Sequence, residues 1–254
     1  MRIATWNVNS LKVRLPHVLD WLAANPVEVL CLQETKQQDS DFPQAEIQAA
    51  GYLSIFSGQK TYNGVAILSR DPATEAQLGI PDHDDDQKRV ISATFGDTRV
   101  VNIYVPNGQA VDSDKYYYKL GWLDKLRNWL KDELTRYPRL VVLGDYNIAP
   151  EDRDVHDPVV WQGNVLVSEA ERIHFQNLIK LGLHDSFRLF EQPEKSFTWW
   201  DYRMMAFRRN HGLRIDHILI SDALVQQCKG CVIDKAPRKL ERPSDHAPVV
   251  VELL

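Results

Sequence analysis

Short apolar runs recur along the whole chain, and each ends in or leads into a polar side chain. RIATW at 2–6, VEVLCLQ at 27–33, GVAILS at 64–69, VISATF at 90–95 and RVVNIYV at 99–105 open the series. LVVLGD at 140–145, RIDHILI at 214–220 and PVVVEL at 248–253 complete it. Runs of this length, rich in Val, Ile and Leu, read as buried strands. Between them, Leu11, Leu15, Val18 and Leu22 recur at helical spacing over 11–24, and Asn25-Pro26 stops the pattern. A longer helix is expected over 114–134, with Leu120, Leu123, Leu126 and Leu130 on one face. Ser168 and Glu171 form a capping box ahead of a third helix over 168–181.

Strands and helices interleaved in this way give an α/β chain with a mixed, strand-rich core. No linker, low-complexity tract or close repeat interrupts it, so residues 1–254 are expected to form one domain. That length buries enough apolar surface to need neither disulfides nor structural metal. Of the three cysteines, Cys31 lies in an apolar run, and Cys228 and Cys231 form a lone CxxC. With no second ligand pair nearby, that CxxC reads as two thiols near a loop. No apolar run approaches the roughly eighteen residues of a membrane span, and MRIATWNVNS lacks a secretory pattern. A cytoplasmic protein with no membrane partner is expected. The net charge of −5 and pI of about 5.9 exclude bulk attraction to nucleic acid but not a local basic face. They also suit a cluster of acids that holds a cation.

The polar residues at the strand ends are the second constraint. They are Asn7 after IATW, Glu34 after LCLQ, Tyr104 and Asn107 around VPNG, and Asp145 and Asn147 after VVLG. Asp216 within RID and Asp245-His246 ahead of PVVV complete the set. Ligand sites of α/β folds form where strands end and loops begin. Any one of these residues alone reads equally well as a turn acid, a cap or a solvated side chain; their recurrence around one sheet does not. Asp145 and Asn147, two apart on a segment read as extended, are expected to point to the same side. The chain has no G-x-S-x-G elbow, Walker A or G-x-G-x-x-G loop. Carboxylate and amide oxygens are hard ligands that suit magnesium or manganese. A metal, a histidine, amide donors and a phenol together supply what phosphoryl transfer needs: charge stabilisation and in-line positioning.

WNVNSL, CLQETK, IYVPNG, GDYNIAP, GLRIDHIL and PSDHAPV, in this order and spacing, resemble the signatures of the exonuclease III family. That family lies within the endonuclease/exonuclease/phosphatase superfamily, and the resemblance runs from residue 2 to about residue 250. It implies a four-layered α/β sandwich of the DNase I type, two packed mixed sheets flanked by helices. It implies Mg²⁺-dependent hydrolysis of phosphoester bonds in duplex DNA, with Mn²⁺ as an alternative ion. Abasic-site incision, 3′-end cleaning including 3′-phosphate removal, and 3′–5′ exonuclease action belong to it. The implied partner is duplex DNA with abasic sites or blocked 3′ ends, and the implied state is a monomer. By position, Glu34 matches the main metal-binding glutamate, Asn7 the asparagine near the metal and Asp245 a second metal-site acid. Asp145 matches the acid that orients or deprotonates the attacking water, and Asn147 a phosphate contact. Tyr104 and Asn107 match contacts to the phosphate or leaving oxygen. His246 matches the phosphate-binding or acid–base histidine, and Asp216 the acid that orients it. Asn9 stands where some relatives carry aspartate.

FTWWDYRMMAFRRNHGLR at 197–214 resembles the family loop that enters the minor groove. Trp199 matches the pocket aromatic, with Leu213 and Ile215 near the same wall, and Trp200 reads as core. Trp199, Arg203, Met204, Arg208, Arg209 and Leu213 are expected to meet DNA, since apolar wedges and arginines suit kinked duplexes. Lys235, Arg238, Lys239 and Arg242 form a basic cluster that reads equally as phosphate contacts or a solvated run. Asp82, Asp84, Asp85 and Asp86 read as a surface loop away from DNA, and His17, His83 and His156 have no visible partner. A superfamily phosphodiesterase acting on non-DNA substrates is a second reading; a 3′-processing enzyme without abasic incision is a narrower form of the first. A DNA-binding module without catalysis should lack one of Glu34, Asp145, Asp216 and His246, and all four are present.

Overall fold

The computed structural model describes residues 1–254, and two six-stranded sheets pack face to face in it. The first sheet holds β1 (Arg2–Asn7), β2 (Val29–Gln33), β3 (Leu53–Ser57) and β4 (Val65–Ser69). It also holds β13 (Cys228–Ile233) and β14 (Val249–Leu253), in the order β13-β14-β1-β2-β4-β3. The second holds β5 (Thr74–Leu78), β6 (Val90–Phe95), β7 (Thr98–Tyr104), β8 (Leu140–Asp145), β9 (Leu183–Asp185) and β12 (Asp216–Ser221). Its order is β5-β6-β7-β8-β12-β9, and a two-stranded ribbon, β10 (Trp199–Trp200) with β11 (Gly212–Leu213), stands apart. One parallel pair lies at the middle of each sheet, β1 with β2 and β7 with β8.

Side chains alternate between two cores, as the pleat requires. On β8, Val141 and Leu143 face the first sheet's Ile3, Val29 and Cys31. Leu140 and Val142 face outward to α3 (Asp114–Arg136) and α5 (Glu169–Ile179), meeting Leu123, Leu126 and Phe175. On the other side, Ala4, Trp6 and Leu30 pack on α1 (Leu11–Ala24), with Ile47 of α2 (Gln44–Ala49) completing that layer. A one-turn helix, α4 (Pro158–Trp161), lies in the loop before α5. The result is the helix–sheet–sheet–helix sandwich expected from the resemblance. The capping box of α5 forms as expected, the Ser168 N–H donating to the Glu171 carboxylate at 3.1 Å. No helix is long and apolar enough to cross a membrane.

The eight apolar runs are the eight interior strands. The four edges, β3, β5, β9 and β13, are unmarked in the sequence. Edge strands are short or half exposed, and β5 and β13 carry bulges that break the alternation. Cys228 and Cys231 therefore sit on a strand, not near a loop, and both are free and buried in the core between the sheets. Burial pushes the Cys231 thiol up to about 12, which leaves it unreactive.

One polar contact crosses the dry interior. Asn102 of β7 donates from Nδ2 to the carbonyls of Leu32 on β2 and Ala66 on β4, each at 2.9 Å. Its Oδ1 accepts from Gln33 Nε2 at 2.7 Å, and Gln33 also donates to Thr5 Oγ1 at 2.9 Å. Asn102→Leu removes three buried hydrogen bonds, and each is worth about 0.5–1.5 kcal/mol. The variant is expected to lose about 2–5 kcal/mol in urea unfolding, and a loss under about 1 kcal/mol would show the contact to be dispensable.

Candidate active site

Strand register builds one half of the site. Tyr104 lies opposite Asp145 across β7 and β8, and Asp145 lies opposite Asp216 across β8 and β12. The three form a single row at one end of the second sheet. The first sheet supplies the other half, with Asn7 ending β1 opposite Gln33, and Glu34 following directly. At these ends the backbone turns sharply. Asn9, Ser10, Glu34, Lys36 and Asn147 all have left-handed φ, from 44° to 90°. Such residues cost about 1–3 kcal/mol each and gather at functional sites. The glycine before Asp145 has a related reason. Gly144 has φ 143°, and a Cβ there would lie 1.9 Å from the Ile103 carbonyl oxygen.

Asn7 joins the two halves. Its Nδ2 donates to Glu34 Oε1 and to Asp145 Oδ2, both at 2.9 Å. Its oxygen accepts the Asn9 N–H at 3.0 Å, so Asn7 presents its amino group, not its oxygen, to the carboxylates. Glu34, Asp145 and His246 each place a ligand atom within 4.8 Å of the others. The two carboxylates can hold a divalent cation, and hard oxygen donors suit magnesium or manganese. Lys36 Nζ lies 2.8 Å from the outer oxygen of Glu34. Asp245 stands outside that trio, its oxygens accepting from Asn9 Nδ2 and Trp199 Nε1, each at 3.0 Å.

Asp145 and Asn147 do converge, but not through strand alternation. Asn147 leaves the sheet with φ 49°, and its N–H turns back to Asp145 Oδ1 at 2.9 Å. Its side chain donates to the Val105 carbonyl at 2.9 Å and accepts from Asn107 Nδ2 at 3.2 Å. The extended reading fails because the chain must leave the sheet here to bring both side chains into one cleft.

Charge is concentrated in this volume. His246 Nδ1 lies 2.8 Å from Asp216 Oδ2, and Nε2 lies 3.8 Å from Asp145 Oδ2. Burial alone would strip the imidazole of its proton; Asp216 and then Asp145 outweigh it and raise the group to about 10. Burial pushes Asp145 upward, helped by Asp216 and Glu34 and opposed by His246. Burial, then Glu34 and Asp145, hold Tyr104 well above its ordinary value, so it stays a phenol. Two hydroxyls that sequence reasoning left without a role steady these groups. Thr198 Oγ1 accepts the N–H groups of Ile215 and Asp216 at 3.0 and 3.1 Å. Ser244 Oγ donates to the Asn7 carbonyl at 2.6 Å and accepts the His246 N–H at 3.2 Å.

The 197–214 loop is only partly as expected. Arg203, Met204, Arg208 and Arg209 are exposed, with Met204 showing 77% of its surface. Trp199 is half-buried beside the site, bridging to His246, and Trp200 is core. Leu213 is fully buried with Ile215 beneath Trp199, so it supports the wall and does not face DNA. Arg238 is likewise buried over the Trp200 and Phe207 rings, leaving Lys235, Lys239 and Arg242 exposed. His156 stacks on His211 with centroids 4.8 Å apart, and His83 Nδ1 lies 3.0 Å from Lys125 Nζ, so both have partners. Asp82, Asp84 and Asp86 are exposed, as a surface loop should be. Gln87 and Arg89, just past it, line a cleft of about 820 Å³ with Tyr104 and Asn107.

If Glu34 and Asp145 hold a cation, magnesium should stabilise the protein. Saturation to about 100 times Kd corresponds to about 2.7 kcal/mol, visible as a rise in melting temperature over an EDTA control. Glu34→Gln is expected to lose most of that rise, and an undiminished rise in the variant would remove Glu34 from the metal site.

Residues 4–246 match the model of the Endonuclease/Exonuclease/phosphatase family. The chain is 35% identical to exodeoxyribonuclease III of Haemophilus influenzae, covering 99% of each protein. It is 50% identical to the 3′–5′ exonuclease NExo of Neisseria meningitidis, over 100% of this chain and 99% of the other, with TM-score 0.98. A second NExo structure from Neisseria, described as a 3′ phosphatase bound to product DNA hairpin, is 49% identical with the same coverage and TM-score 0.98. An AP endonuclease from Archaeoglobus fulgidus is 39% identical, over 100% of this chain and 99% of that one, with TM-score 0.95. With its six motif blocks gathered around one cleft and a full-length match of this kind, the chain belongs to the endonuclease/exonuclease/phosphatase family.

Proposed function

We propose that the protein is a metal-dependent DNA-repair nuclease that hydrolyses phosphoester bonds in duplex DNA, incising abasic sites and clearing blocked 3′ ends. The observation that carries this reading is the meeting of Tyr104, Asp145 and Asp216 on one sheet with Asn7 and Glu34 on the other. Such a cleft offers a cation site, proton acceptors and phosphate donors within one small volume. Glu34 and Asp145 would hold Mg²⁺, which supplies Lewis-acid polarisation of the phosphate oxygens.

The protein groups divide the remaining work. Asp145, fixed by Asn7 and Asn147, orients the attacking water and accepts its proton. Asn107 and Asn147 contact the phosphate through their side-chain amides. His246, kept cationic by Asp216, faces the developing charge. Tyr104, kept as a phenol, donates a hydrogen bond to the phosphate or the leaving oxygen. Asn7 holds the two carboxylates at a fixed separation. Asp245 fixes Trp199, which walls the pocket. A monomer acting on duplex DNA in the cytoplasm completes the reading.

A narrower reading has one support of its own. The two NExo structures, at 49% and 50% identity, are described as a 3′ phosphatase and a 3′–5′ exonuclease, whereas the AP endonuclease is at 39%. The protein would then process 3′ ends without incising at abasic sites. End-labelled duplexes with a central abasic analogue, a 3′-phosphate at a nick, or a plain recessed 3′ end, assayed with magnesium or EDTA, separate the two. Activity on the 3′ ends alone selects the narrower reading, and no cleavage of any duplex would overturn both.

Two variants test the roles. Asp145→Asn is expected to cut metal-dependent cleavage by at least about 10²–10⁴-fold while leaving DNA binding intact, and full activity would sink the mechanism. Trp199→Ala is expected to lower abasic-site cleavage more than 3′-phosphate removal, whereas equal losses would count against a pocket role for that ring.

A further inference from the structure

Lys119 has no part in the chemistry above, yet it is fully buried on the apolar stripe of α3, between Tyr116 and Leu123. A buried ammonium needs three acceptors, and it has them. Nζ donates to the Asn147 carbonyl at 2.7 Å, to the Asn107 carbonyl at 3.1 Å and to the Glu171 carboxylate. Asn107 follows β7 and Asn147 follows β8, so one cation clamps two separate loops from behind. In front, the two asparagine side chains touch at 3.2 Å. With φ 49°, Asn147 turns its carbonyl to Lys119 and its side chain to Asp145 and Asn107. The lysine stem adds a steric limit, because a Cβ on Gly108 would lie 3.2 Å from Lys119 Cδ.

Glu171 is itself immobilised. Its Oε1 accepts the Leu166 N–H at 3.0 Å, and its Oε2 accepts Ser168 N–H and Oγ–H at 3.1 and 2.6 Å. The clamp is thereby anchored to the capped start of α5. Buried ion pairs seldom add stability over apolar packing, so stability alone does not account for placing one here.

We propose that Lys119 is a positioning residue that fixes the spacing of Asn107 and Asn147 on the phosphate undergoing hydrolysis. This inference rests on the nuclease reading above. Misplacing reacting groups by about 1 Å can cost about 100-fold in rate, which sets the scale of the effect.

The test uses the full-length protein and a nicked duplex bearing a 3′-phosphate, with magnesium. Lys119→Met is expected to lower kcat by about 10- to 100-fold with KM changed less than about threefold, and Lys119→Arg to recover most of the rate. Because Lys119→Met strands the Glu171 charge, the double variant Lys119→Met with Glu171→Gln is measured beside it. Its melting temperature should recover and its kcat should not. An unchanged kcat in Lys119→Met, or a kcat that returns with the melting temperature, would overturn the inference. Should the wild type cleave no duplex, the nuclease reading fails instead. The crystal structure of the double variant then decides: a widened gap between the Asn107 and Asn147 side chains supports the clamp, and an unchanged one overturns it.

Discussion

The site depends on a hydrogen bond made across a dry interface. Apolar packing between two sheets is non-directional, and alone it tolerates sliding. Asn102 removes that freedom by donating from β7 to the carbonyls of Leu32 and Ala66 on the opposite sheet. Gln33 closes the contact, and the next residue is Glu34. Two residues beyond Asn102, on the same side of β7, comes Tyr104, opposite Asp145. The offset of Glu34 and Asp145, one on each sheet, is therefore tied to this polar contact. A site assembled from two sheets needs such a pin, because Glu34 and Asp145 come from different sheets and meet through the Asn7 amide.

Conformational strain is concentrated directly above that pin. Asn9, Ser10, Glu34, Lys36 and Asn147 all have left-handed φ and lie at the site. Each is held by hydrogen bonds that point at other site residues: Asn9 by the Asn7 side chain, Asn147 by Asp145. The bonds that offset the strain are thus the ones that aim the functional groups. Local preference and global fold conflict here, as expected where function competes with folding.

This division explains what could be read from the sequence. Interior strands are buried on both faces and show as continuous apolar runs; edge strands have one neighbour and a solvated side, and β3, β5, β9 and β13 left no pattern. Polar residues capping apolar runs marked Glu34, Asp145 and Asp216, because such residues recur at the ends of several buried strands around one sheet. The direction of an amide was not legible. Asn7 offers its nitrogen to the acids, and which end it offers depends on partners 27 and 138 residues away. Leu213 carried the right composition for a groove contact, but its place under Trp199 is set by the β10–β11 pairing. Two signals were present and unused: the Asn inside RVVNIYV, which is the pin between the sheets, and a lysine on the apolar stripe of α3.

The charges resolve how an acidic chain can engage a polyanion. Glu34, Asp145 and Asp216 face the His246 imidazolium and the Lys36 ammonium, so the cleft with all five ionised is one charge negative. A phosphate would be repelled from it. One divalent cation between Glu34 and Asp145 makes the same cleft one charge positive, and its effect is strong because these groups are shielded from solvent. Outside the cleft, Arg208 and Arg209 are exposed, whereas Arg203 is neutralised by Asp201 at 2.8 Å. Charges beyond about 8–10 Å are screened at physiological salt, so the net −5 spread over the whole surface matters less than the sign at the cleft. A cation held there would therefore turn the cleft from repelling a phosphate to attracting it, and the acids that give the protein its negative balance would be the means by which it becomes locally positive.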